Sequence, residues 1–89
     1  MIIVSQDRDK IVNFDNLVQV YITQDEEEKA YFIRFETVDS LYEDLGEYKT
    51  KERAKEVLQE IITRHGNWEN MKVGQPSGIC LPVYEMPED

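Results

Sequence analysis

His65 and Cys80 are the single histidine and the single cysteine of the chain, so thiol–imidazole chemistry, in which a base takes the proton of a sulfur nucleophile, has one pair to draw on. A cysteine nucleophile also needs an electropositive setting to hold its thiolate, and 19 acids against 10 bases do not supply one. His65 reads better as a residue near a helix end and Cys80 as a small apolar contact. One cysteine forms neither an intramolecular disulfide nor a four-cysteine zinc site. Asp7 and Asp9 could grip a divalent cation weakly, but a tight turn accounts for both. Asp25-Glu26-Glu27-Glu28 lacks the glycine and the alternating ligand spacing of a calcium loop. Gly74 and Gly78 enclose a Pro-Ser loop with no lysine after it, unlike a phosphate-cradling loop. No Gly-x-Ser-x-Gly nucleophile elbow occurs. The residues therefore point to no catalytic site, no metal and no cofactor, and the expectation is a protein that is not an enzyme.

Charge limits the partners. A net charge of −9 opposes general affinity for nucleic acid, whose phosphates are bound by Lys and Arg that displace counterions. It opposes anionic membrane surfaces in the same way. Residues 1–48 hold 12 acids against 4 bases, after which Lys49, Lys51, Arg53 and Lys55 cluster. That cluster reads as a solvated helix face balanced by Glu52 and Glu56. No run approaches the ~20 apolar residues of a membrane helix, and Met1-Ile2-Ile3-Val4-Ser5 has no basic leader of a signal peptide. A cytoplasmic protein is expected.

The elements follow from periodicity. With 89 residues the chain builds one modest core, burying about 60–65% of its unfolded surface. Residues 2–6 and 10–14 are short β-prone runs around the turn Asp7-Arg8-Asp9. Leu17 to Thr23 alternates, with Val18, Val20 and Ile22 on one face and Gln19, Tyr21 and Thr23 on the other. Ala30 to Val38 alternates again, Tyr31, Ile33 and Phe35 against Phe32, Arg34 and Glu36, and the acidic connector between the two runs is an exposed hairpin tip. Leu41 to Tyr48 is a further strand in which Gly46 signals a bulge or a close backbone approach. Thr50 is a helix N-cap. Ala54, Val57, Leu58, Ile61, Ile62 and His65 form one helical stripe, and Gly66 closes a helix over 51–65. Asn67-Trp68-Glu69-Asn70 and 74–78 are turn-rich, and Pro82 and Pro87 restrict 79–86 to an edge strand or an extended tail. The fold class expected is α+β: an antiparallel meander of about five strands packed on one amphipathic helix. Residues 1–66 are expected to form the meander-plus-helix domain, and 67–89 a turn-rich C-terminal extension that is either part of the same single domain or partly disordered.

Several segments taken together resemble a known group. Met1-Ile2-Ile3-Val4-Ser5-Gln6-Asp7 runs into Ile11-Val12-Asn13-Phe14. Leu45-Gly46-Glu47-Tyr48-Lys49-Thr50 leads into Glu52-Arg53-Ala54-Lys55-Glu56-Val57-Leu58, and Tyr84-Glu85-Met86-Pro87 follows. Over nearly its full length the chain resembles small uncharacterised proteins of phages and prophages of low-GC Gram-positive bacteria. The resemblance implies a short accessory protein of a mobile element, working inside a bacterial cell. It implies no catalytic residue.

One helix covers one face of such a sheet, and Tyr21, Phe32 and Tyr42 lie among polar groups on the other. The expected function is a protein–protein interaction module whose contacts are Tyr21, Phe32, Arg34 and Tyr42. The tail residues Val83, Tyr84 and Met86 join them by adding a strand to a partner sheet. The partner is another protein or a second copy, giving a homodimer. The alternative is an acidic nucleic-acid mimic that blocks a DNA-binding protein, with Asp25 to Glu28, Glu36, Asp39, Glu43, Asp44 and Glu47 as its carboxylates.

Overall fold

Turn chemistry fixes the first hairpin. The computed structural model describes residues 1–27, 29–72 and 83–89, with backbone alone over 68–72. In it β1 (Ile2–Val4) pairs antiparallel with β2 (Ile11–Asn13), Ile3 opposite Val12. Asp7 holds the connection as a turn aspartate does: its Oδ1 accepts the Asp9 N–H at 3.0 Å and the Ser5 hydroxyl at 2.6 Å. These bonds, the Ser5 hydroxyl first, hold the Asp7 carboxyl below its ordinary range.

A 3-10 turn over Phe14–Asn16 leads into the antiparallel meander β3 (Leu17–Asp25), β4 (Ala30–Thr37) and β5 (Tyr42–Tyr48). In β4 the alternation is as expected: Ile33 and Phe35 are buried, and Tyr31 packs beside them. In β3 it is offset by a bulge. Leu17 pairs with Thr37 but Gln19 pairs with Glu36, and the extra residue reverses the parity of the strand. Leu17 therefore packs on the core with Val20 and Ile22, while Val18, expected inside, is 59% exposed. A second bulge lies in β5, where Ile33 faces Gly46 and Arg34 faces Asp44, leaving Leu45 as the extra residue. Leu45 and Tyr48 are both buried as a result. Gly46 is also the close approach its type suggests: a Cβ there would stand 3.0 Å from the Tyr48 hydroxyl and 3.1 Å from Cε2.

Thr50 caps the helix, its Oγ1 accepting the Arg53 N–H at 3.1 Å. The helix α1 (Lys51–Lys72) buries Ala54, Val57 and Ile61. The stripe is narrower than expected, because Ile62 is more than half exposed. The helix also runs through Gly66 instead of ending there, and Asn67 to Asn70 are helical, not turns. Among the described residues an added Cβ at Gly66 would meet nothing within 4 Å, so no described neighbour crowds the backbone there. An interior glycine costs only about 1 kcal/mol.

The chain returns in β6 (Val83–Glu85), which pairs parallel with β1, Ile3 opposite Tyr84. The strands thus form two sheets, β2-β1-β6 and β3-β4-β5, where one meander was expected. The expected tail contains a strand whose Tyr84, and the Met86 that follows it, lie in the core. α1 crosses residue 66, and β6 closes onto the first strand. The loop at 74–78, Cys80 and Pro82 lie outside the described residues.

Gln6 joins the two sheets. Its N–H donates to the Leu45 carbonyl at 2.8 Å. Its side-chain Oε1 accepts the Glu47 N–H at 2.8 Å, and Nε2 donates to the Glu47, Pro87 and Glu88 carbonyls at 3.0, 3.1 and 2.8 Å. One core results, drawn from Ile3, Ile33, Phe35, Leu45, Tyr48, Val57, Ile61, Tyr84 and Met86 among others.

Two outcomes test this packing. Gly46→Ala pushes a methyl against a buried ring whose hydroxyl is held by the Pro87 carbonyl at 2.9 Å. It should destabilise the fold by about 1–3 kcal/mol in urea unfolding. Burial pushes Tyr48 from 10.0 up to about 12. Burial, and then the Glu60 carboxylate that accepts its hydroxyl, raises Tyr84 as well. The folded state thus binds these protons more tightly than the unfolded chain. Their stabilisation is complete below pH 10 and is lost as the pH climbs toward about 12. Thermal melts should show Tm falling through that window, less steeply in Tyr48→Phe.

Candidate interaction face

The register of the three-stranded meander places its outward side chains in three cross-strand rows. Gln19, Glu36 and Tyr42 form one, Tyr21, Arg34 and Asp44 the next, and Thr23, Phe32 and Glu47 the third. The contacts expected at Tyr21, Phe32, Arg34 and Tyr42 therefore share one face. Among the described residues α1 packs against the opposite side, where Ile33, Phe35 and Leu45 are buried.

Arg34 organises the face. Its Nε donates to Asp44 Oδ1 at 2.8 Å, and its guanidinium lies 5.2 Å from the centre of the Tyr42 ring. The Asp44 carboxylate raises the Arg34 pKa above its ordinary value, with Tyr21 a smaller contributor. A planar guanidinium held between a carboxylate and a ring loses little freedom when a partner contacts it. Tyr42 is 61% exposed. Beside it, Val38 and Leu41 flank the Asp39-Ser40 turn at 79% and 66% exposure, and Val18 enters the same end of the sheet through the Leu17–Thr37 pairing. These three apolar residues were missed in the sequence. The signal for Val38 and Leu41 was their place on either side of a tight turn, where nothing remains to cover them.

The tail contacts are different. Val83 is half-exposed, but Tyr84 and Met86 are core residues of the other sheet, since β6 spends one edge and one face inside its own fold. They do not adjoin the four residues of the outer face.

The acidic residues are dispersed. Gln19 Nε2 donates to Glu36, and Asp44 is tied to Arg34. Glu43 pairs across from the core residue Phe35, while Asp25, Glu26 and Glu27 sit at the β3–β4 tip. Of the basic cluster, Arg53 pairs with Glu56 at 3.1 Å and donates to the Asp89 carbonyl at 2.9 Å. That leaves the open cleft of about 680 Å³ beside Lys29, Lys49, Thr50 and Glu47 with charges of both signs. His65 stacks at a tilt on Phe14, ring centres 4.7 Å apart, with Nδ1 4.0 Å from an Asp15 oxygen. Cys80 lies outside the described residues. Among the described residues no group of three or more His, Cys, Asp or Glu is placed to hold a metal, and no helix is long and apolar enough to cross a membrane.

Fold and face together define a small α+β domain with an aromatic-and-arginine surface on the side of the meander away from its helix. Comparison with protein-family models, with curated proteins and with solved structures gives no match.

The Arg34–Asp44 pair is partly solvated, 28% and 39% exposed at the side chains, so it contributes little to folding. A double-mutant cycle of Arg34→Met and Asp44→Asn should give a coupling of about 0.2–1 kcal/mol by urea unfolding.

Proposed function

We propose that this protein is a non-enzymatic interaction module that docks another protein on the outer face of β3-β4-β5. The reading is carried by one observation: Tyr21, Phe32, Arg34 and Tyr42 stand together on the side of the sheet away from α1. Tyrosine and arginine are the side chains that most often dominate binding energy at protein interfaces. The exposed Val18, Val38 and Leu41 add apolar area at one end. What favours docking over nucleic-acid mimicry is that Glu36 and Asp44 are already engaged by Gln19 and Arg34, so the carboxylates do not make an unpaired array. The resemblance to phage and prophage proteins supplies the setting, an accessory protein acting on a protein inside a bacterial cell.

Affinity capture from a Gram-positive bacterial lysate, washed at low and high salt, tests the reading. A stoichiometric partner should survive high salt, because an interface centred on aromatic burial is weakly screened. Tyr42→Ala and Arg34→Glu should each weaken it about tenfold or more. A partner that both variants hold as tightly as the parent would place the interface elsewhere. A DNA-binding protein shed at high salt would favour mimicry.

A further inference from the structure

β3 offers a second surface, its open edge. It is nine residues long, about 30 Å, and among the described residues its strand pairing is with β4 alone. Half the backbone N–H and C=O groups of an edge strand point away from its neighbour. The Leu17 N–H is taken by the Phe14 carbonyl of the preceding 3-10 turn, and over 18–24 no described strand or turn other than β4 bonds to the backbone of β3. Edge strands that stay solitary are commonly blunted by charge or proline, and the eight residues Leu17–Gln24 contain neither. The bulge at Val18 lies at one end, leaving Gln19–Asp25 in unbroken register with β4.

We propose that a second copy of this chain adds to that edge, β3 against β3 and antiparallel about a two-fold axis through Tyr21, to form a continuous six-stranded sheet. Charge places a contact between two copies on this edge. Two molecules of net −9 approach with least repulsion where neither is charged. The outer-face acids Glu36, Asp44 and Glu47 stand on β4 and β5, away from the axis. The register is self-complementary: Val20 meets Ile22 on the core side, while Gln19 meets Thr23 and Tyr21 meets Tyr21 on the outer side, each a pair of like polarity. Asp25 lies beyond the Gln19–Thr23 span, so the two Asp25 carboxylates stand at opposite ends of the ladder. The proposal does not rest on the docking reading, and its test uses the chain alone.

Light scattering of the full chain from low micromolar to near-millimolar concentration should show the mass approaching twice that of the monomer. Amide exchange should slow with concentration at alternate β3 residues and not in β5. Tyr21→Lys sets two ammonium groups face to face at the axis and should weaken the dimer about tenfold or more, whereas Tyr42→Ala leaves it intact. A monomer mass at every concentration overturns the proposal, as does β3 exchange independent of concentration. So does protection mapping to another element, or a natively folded Tyr21→Lys that dimerises as tightly as the parent. Should Tyr21→Lys fail to fold, the exchange measurement on the parent chain decides alone.

Discussion

The carboxamide of Gln6 is the contact on which the arrangement of the two sheets depends. A glutamine presents a donor and an acceptor in one plane, the same pair that a peptide unit presents. Here it takes the place of a strand residue beside β5, exchanging bonds with both backbone groups of Glu47, and it also reaches the carbonyls of Pro87 and Glu88. Glutamate has no donor for those carbonyls at neutral pH, and asparagine is shorter by a methylene. Each hydrogen bond is worth only about 1 kcal/mol net, but these tie together segments that are 41 and more than 80 residues apart. The bulge at Leu45 and Gly46 belongs to the same device. It breaks the even pairing of β5 with β4 beside the carbonyl and N–H that Gln6 meets.

From that junction the core follows. The small sheet contributes Ile3, Tyr84 and Met86, and the large one Ile33, Phe35, Leu45 and Tyr48. Across them lie Ala54, Val57 and Ile61 of the helix. A chain of this length has no second core in reserve, so each element buries one face and leaves the other to water. The outer face of the meander is a consequence of that shortage. Its Arg34, placed between Asp44 and Tyr42, gives an otherwise solvated surface a fixed chemical pattern.

What could be read from the sequence was local. The Asp7 turn, the Thr50 cap, the alternation of β4 and the close approach at Gly46 each depend on a few neighbouring residues, and each stands in the structure as expected. The same period of two set Tyr21, Phe32, Arg34 and Tyr42 on one face. What could not be read depended on distant partners or on small differences. Leu17-Val18-Gln19-Val20 suits a pleated strand in either parity, so nothing in it announces a bulge. A glycine that closes a helix and one that continues it differ by about 1 kcal/mol, too little for Gly66 alone to mark an end. The parallel pairing of β1 with β6 rests on Gln6 and on residues some eighty positions away. Even so, Val83-Tyr84-Glu85-Met86 alternates, and that pattern was the available sign that Tyr84 and Met86 point inward.

The pairing of β1 with β6 sets the order of synthesis against the order of assembly. β1 is the middle strand of its sheet, and one of its two neighbours is encoded some eighty residues downstream. A ribosome adds about 5–20 residues per second, so Met1-Ile2-Ile3-Val4 waits on the order of ten seconds before residues 83–86 exist to cover it. Throughout that interval the nascent chain carries a bare apolar strand, with β2 along one side only. The small sheet is therefore completed only once residues 83–86 have been made, and until then β1 stays open along the edge that β6 takes.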